Sequence, residues 1–244
     1  MKKEHVFSVI AILVLWQICA VKVHNDILIP FPAETLMRTV SLFREASFYQ
    51  SVCATLLRVF RGFMCSMVAA LAVSVLSDRF PVFRELIRPV LVIARTIPNI
   101  CYIVMALIWL GAEGAVSAVS FLILFPVFTN AFTNRLENED SSLKEVDALY
   151  PETFFMRLRY KVIPSLIPEM LATGKTAAGL GLKVGIMAEI LGQVRSGIGR
   201  SMNFARLYLD TAGIVAWTIV IIILSVGIDM LFDWLIAQRM KEEL

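Results

Sequence analysis

LATGKTAAGLGLKVGIMAEILG, residues 171–192, decides which kind of molecule this is. Gly174, Lys175 and Thr176 spell the end of a phosphate-binding P-loop, which would make the chain a soluble nucleotide-binding domain. A working loop needs Gly-x-x-x-x-Gly-Lys-Ser/Thr between a strand and a helix. Its first glycine would fall at position 169, where the chain has Glu169. Upstream stand Pro164, Pro168 and a helical stripe rather than an apolar strand. The run reads instead as a membrane-spanning helix, since about 20 mostly apolar residues cross a bilayer. Lys175 then lies near one end, reaching towards the headgroups.

The composition agrees. Of 244 residues, 58% are hydrophobic and 18% charged, with a mean hydropathy of +0.76. Soluble domains carry about 45–50% apolar and roughly 25% charged residues. The apolar residues fall in blocks at about 6–21, 51–77, 89–111, 115–134, 171–192 and 211–236. Six transmembrane helices follow, in an all-α integral membrane protein. The first block, behind Lys2 and Lys3, is either a retained anchor or a cleaved signal peptide. Its long core favours the anchor. Three regions result: an N-terminal helix with an external segment (1–50), a transmembrane domain (51–236) and a short tail (237–244).

Basic residues crowd positions 2–3, 79–88, 135–161 and 239–241, and are fewer at 22–44 and 195–206. The positive-inside rule therefore puts both termini in the cytoplasm. The net charge of +3 has no basic stripe on a polar fold to go with it, so no nucleic acid is expected as a partner. Cys19, Cys53, Cys65 and Cys101 lie in or beside apolar runs, which suits free, buried thiols; no C-x-x-C suggests a metal. The two histidines, His5 and His24, belong to no H-E-x-x-H, and no Gly-x-Ser-x-Gly occurs, which argues against a membrane-embedded enzyme. An ATP-independent carrier would show inverted repeats, and the two halves show none.

Two polar segments carry patterns of their own. IPFPAETLMRTVSLFREASFYQ (29–50) sets Leu36, Val40 and Phe43 at helical spacing, predicting a short amphipathic helix on the outer surface. It serves either as a docking element or as a packing connector. The larger segment, about 135–170, includes NRLENEDSSLKEVDALYPETFFMRLRYKVIPSLIPEM. Leu143, Val146 and Leu149 form one stripe, and Pro151 breaks it. Phe154, Phe155, Leu158 and Val162 form a second stripe, which Pro164 and Pro168 are expected to stop before the next span. Such a helix–turn–helix either inserts into a groove on another protein or packs back on its own bundle.

This loop resembles the cytoplasmic coupling motif of binding-protein-dependent ABC importer permeases. That motif is Glu-Ala-Ala, three residues, Gly, then a stretch ending Ile-x-Leu-Pro. Glu145 matches its glutamate and Pro164, nineteen residues on, its proline; Val146 and Asp147 replace the alanines, Pro151 the glycine, and Lys161 and Ile163 the Ile and Leu. TLLRVFRGFMCSMVAALAVSVL, LIRPVLVIARTIPNICYIVMALIWLG and AEILGQVRSGIG are similar to further segments of the same family, in the same order. The set spans about residues 51–233 and most resembles the nitrate/sulfonate/taurine branch. The resemblance implies a type I importer permease fold, with Glu145, Val146, Asp147, Ala148, Leu149, Tyr150, Pro151, Ile163 and Pro164 meeting an ATPase. It implies a second permease copy, two ABC ATPase subunits and an external binding protein as partners. ATP and Mg would sit on the ATPase, and this chain would bind no cofactor. It also implies a prokaryotic inner membrane as the location. The branch handles small anions such as nitrate, bicarbonate, taurine and alkylsulfonates, and some pyrimidine vitamin precursors.

The fifth span holds the remaining candidates. Ala177, Gly181 and Gly185 recur every fourth residue, which lets helices approach closely in lipid. Lys183 and Glu189 are charges inside the span, each costing at least about 2.5–3.5 kcal/mol if left facing lipid. They are about 9 Å apart along the axis, too far for an in-helix salt bridge. Either Lys183 lines a solute path and favours anions, or one of the two pairs with another helix or protomer. Arg95 and Pro98 pose a similar choice: Pro98 kinks the third span or frees a carbonyl, and Arg95 faces the path or snorkels to the surface.

Overall fold

The computed structural model describes residues 3–25, 27–138 and 153–242, and the regular elements among them are helices. These are α1 (Lys3–Val23), α2 (Pro32–Leu42), α3 (Ala46–Arg79), α4 (Pro81–Thr96) and α5 (Asn99–Glu137). After residue 152 follow α6 (Phe154–Arg157), a π-helical turn (Leu158–Val162), α7 (Ile163–Gly192), α8 (Ile198–Leu207) and α9 (Thr211–Glu242). Three of them are long and apolar enough to cross a membrane: Ala46–Arg79, Asn99–Glu137 and Thr211–Arg239. α7 has 30 residues, but Lys175, Lys183 and Glu189 lower its apolar character.

Small residues set how the bundle closes. Thr55, Val59, Gly62, Ser66, Ala70, Ser74 and Ser77 form the buried stripe of α3, and α5 lies along it. At Gly62 the approach is so close that a Cβ would stand 2.5 Å from the Ser117 carbonyl oxygen. On α7, Ala177 is buried beside Phe63 and Leu124. A Cβ at Gly181 would lie 3.1 Å from Leu124 Cδ1, and one at Gly185 2.4 Å from Val59 Cγ2. The every-fourth-residue pattern thus becomes the seam between α7 and the α3–α5 pair. Below it Phe63 meets Phe128 edge-on at 5.2 Å, in a core with Phe132, Leu136, Val162 and Leu166.

The chain turns back within α5. Gly111 has φ 67 and ψ 177, outside helical space, and only glycine takes that region without strain. Ile103 and Ala106 before the turn join Ala115, Val119 and Ile123 after it in one apolar cluster. In an unbroken helix Ile103 and Ile123 would stand about 30 Å apart. The return also brings Glu137 Oε1 to 3.2 Å from Arg84 Nη1, while Arg157 Nη2 reaches Asp78 Oδ2 at 3.0 Å. The ends of α3 and α5 and the starts of α4 and α6 are thereby tied together.

Four expectations are corrected. The run at 89–111 is two helices, because α4 stops at Thr96 and Pro98 caps α5, with Ile97 extended (φ −68, ψ 125) as a residue before proline prefers. Pro164 and Pro168 do not stop the helix that begins at Phe154. Pro164 occupies the first turn of α7 and Pro168 lies inside it; each leaves out one backbone donor without ending the helix, and a π turn stands just upstream of Pro164. The four cysteines are free, but exposed rather than buried. Lys175 does not simply extend to a surface, since its Nζ lies 2.6 Å from Asp233 Oδ1 on α9. α2 forms as expected, with Leu36, Val40 and Phe43 outward and Thr35, Thr39 and Leu42 packed inward. The helix α8 (Ile198–Leu207) has no counterpart in the sequence reading.

The Gly62 contact yields a paired prediction. Gly62→Ala forces a side chain against backbone and should destabilise the protein by about 1–3 kcal/mol. Gly179→Ala, with nothing within 4 Å of its Cβ, should be neutral or slightly stabilising. Denaturation in mild detergent compares them directly; equal effects would contradict the close crossing.

Candidate functional site

Glu189, three residues from the end of α7, is fully buried, and four segments converge on it. From α3, Thr55 Oγ1 donates to Glu189 Oε2 at 2.8 Å and Arg58 Nη1 to Glu189 Oε1 at 2.8 Å. From the start of α8, the Gly199 amide donates to Oε2 at 2.9 Å. Thr55 Oγ1 in turn accepts the Ile198 amide at 2.8 Å. Arg58 continues outward, giving Nη1 to the Ser196 carbonyl at 2.6 Å and Nη2 to the Glu113 carboxylate. Glu113, just past the Gly111 turn, accepts the Arg195 amide at 2.8 Å. One buried ion pair therefore fixes α3, the α5 turn, α7 and the α7–α8 connection at the same point.

Physical chemistry explains the residue types. An isolated buried carboxylate is prohibitively costly, so it must be paired and fully hydrogen-bonded. An arginine fork can serve two carboxylates at once. Amides at the start of a helix add donors to the anion. Glycines make room: a Cβ at Gly199 would lie 2.4 Å from Glu189 Cβ, and one at Gly197 2.6 Å from both carboxylate oxygens.

The other candidates separate from this hub. Lys183 is exposed on the opposite face of α7, in a row with Ala172, Thr176 and Met187. It has no ion-pair partner among the described residues. Arg95 is exposed near the end of α4, and Pro98 caps α5. Ile163 and Pro164 open α7 at the far end from Glu189. Glu145, Val146, Asp147, Ala148, Leu149, Tyr150 and Pro151 lie outside the described residues. Arg58, Thr55 and Glu113 were not singled out from the sequence. The available signal was an arginine in an otherwise apolar run, which demands a counter-ion without naming it.

The family described as "Binding-protein-dependent transport system inner membrane component" matches residues 62–241. The chain belongs to this family. It is therefore a transport component of the membrane rather than an enzyme. Among curated relatives, the taurine transport system permease protein TauC of Escherichia coli is 22% identical over 229 residues, covering 89% of this chain and 82% of that protein. The formylaminopyrimidine transport permease protein ThiX of Halalkalibacterium halodurans is 25% identical over 244 residues, covering 95% and 94%. A probable ABC transporter permease protein of Brucella melitensis is 27% identical over 217 residues, covering 85% and 84%. In fold, the chain is similar to a chain of the inward-facing MetNI methionine ABC transporter, with a TM-score of 0.67 at 17% identity, over 78% of this permease and 94% of that chain.

Two substitutions grade the hub. Gly199→Val drives a side chain into Glu189 and should abolish accumulation of folded protein in the membrane. Thr55→Val removes one donor and should cost about 1–3 kcal/mol while the protein still folds. A tolerated Gly199→Val, read by size-exclusion profile after extraction, would contradict the geometry.

Proposed function

We infer that this chain is the membrane-spanning permease subunit of an ATP-driven importer and forms the path of a small, anionic solute. The carrying observation is the family match over most of the chain. The exposed Lys183 row on α7 supports the anion, because an exposed cation inside a span is costly against lipid and is better placed facing water or another protein. Six spans, with both termini in the cytoplasm, fit the charge distribution and the Gly111 reversal. The working assembly is two permease copies, two ATPases holding ATP and Mg, and an external binding protein that delivers cargo. It sits in the inner membrane of a prokaryote.

The proposed mechanism divides the molecule by its ends. ATP-driven closure of the ATPase pair moves the segment from Glu145 to Pro164. Because α6, the π turn and α7 form one continuous helical path, that motion enters α7 directly. The hub at Glu189 makes α3, α7 and the α5 turn move together, so the push at one end becomes a tilt at the other. Such closure is a two-state element biased by nucleotide. A second cargo class, a pyrimidine-type vitamin precursor, is favoured by one observation: the relative aligned over 95% of this chain is a formylaminopyrimidine permease.

Two measurements test this. Ala148→Pro, or Asp147→Lys, should cut transport at least about tenfold while ATP hydrolysis and membrane insertion persist. Undiminished transport with residues 139–152 replaced by a flexible linker would contradict the lever. Lys183→Met should weaken uptake of an anionic solute such as taurine; unchanged affinity and rate would remove Lys183 from the path.

A further inference from the structure

Where the ends of α3, α4, α5 and α6 meet, they enclose a polar cavity of about 780 Å³. That size lies within the range of small-molecule sites. Its wall carries four arginines, Arg84, Arg88, Arg95 and Arg157, against three carboxylates, Asp78, Glu85 and Glu137. Two of the arginines are already spoken for, in the Arg84–Glu137 and Arg157–Asp78 pairs. Arg88 and Arg95 have no ion-pair partner among the described residues. Seven residues apart on α4, they present two cations about 10 Å apart along the axis, both exposed.

The buried atoms of the wall point the same way. Ser77 is 1% exposed and its hydroxyl has no partner. Arg84 Nε and Arg157 Nε are also buried without one. Buried polar groups are nearly always hydrogen-bonded, so each such orphan asks for an explanation. Here three of them line the same cavity, and all three can donate. Donors and surplus positive charge together call for an acceptor that is anionic and carries several oxygens.

We propose that this cavity is a binding site for a small oxyanion, bearing a phosphate, sulfonate or carboxylate group, held by Arg88, Arg95 and the Ser77 hydroxyl. The site is distinct from the Lys183 row, which lies on the exposed face of α7. Its meaning as an inner-side station rests on the orientation proposed above, but binding itself does not. An anion seated there bridges α4 to the end of α3 and stiffens the meeting point of the four helices. Free oxyanion and the headgroup of an anionic lipid share this chemistry.

The test uses the full chain in phosphatidylcholine nanodiscs, titrated with sodium phosphate against sodium chloride at matched ionic strength. Thermal unfolding reads the binding. Phosphate should raise the melting temperature of the wild type, and R88M/R95M should lose at least about tenfold in apparent affinity. Ser77→Ala should weaken phosphate while leaving the phosphate-free melting temperature unchanged, which separates binding from folding. If only phosphatidylglycerol discs stabilise the wild type over R88M/R95M, the oxyanion is a lipid headgroup and the site stands. If neither phosphate nor phosphatidylglycerol distinguishes the wild type from R88M/R95M, the proposal is overturned. Failure of the coupling-segment experiment would leave this result standing.

Discussion

The Arg58–Glu189 ion pair is the constraint on which the rest of the bundle depends. A carboxylate with no solvent exposure can stay charged inside a membrane protein only if every acceptor site is served. Serving it requires donors from α3 and from the start of α8, delivered at hydrogen-bond distance. That requirement fixes the register of α3 against α7, brings the α7–α8 connection inward, and demands glycine at 197 and 199. Through Arg58 it also captures Glu113 and so places the turn at Gly111. A single desolvated charge thus sets the relative positions of four chain segments.

The small-residue seam and the hub divide the work between them. Along the middle of α3, α5 and α7 the helices are held by close packing of Gly62, Gly181 and Gly185, which is tight but non-directional. At one end the hub supplies direction. At the other end the restraints are weaker: two partly exposed ion pairs, Arg84–Glu137 and Arg157–Asp78, around a polar cavity. Exposed pairs of this kind contribute little individually. The bundle is therefore more tightly restrained at the Glu189 end than at the end around the polar cavity.

Much of this was legible in the residues. The refusal of residue 169 to be glycine disposed of the P-loop, and the structure has an unbroken helix through Gly174, Lys175 and Thr176. The seam was readable from Ala177, Gly181 and Gly185, because close approach leaves a four-residue period of small side chains. Gly111 marked the end of one apolar run, although its left-handed conformation was not visible. The hub was not legible. Its members are separated by up to more than a hundred positions, and helical periodicity reports only neighbours within a few turns. Proline is an ambiguous signal: Pro164 reads as a stop in sequence, whereas beside a π turn it is compatible with a continuous helix. The cysteines are exposed despite their apolar runs, because in a membrane protein an apolar neighbourhood does not mean an interior one.

The most direct measurement is the coupling free energy between Arg58 and Glu189. It comes from Arg58→Met, Glu189→Met and the double replacement, each unfolded reversibly in mixed micelles. Removing one partner of a buried pair leaves the other charge stranded, so each single change should cost about 3–5 kcal/mol, and the double change should recover a large share of that. Strictly additive losses, or single substitutions without effect, would mean that the two side chains do not hold the bundle together.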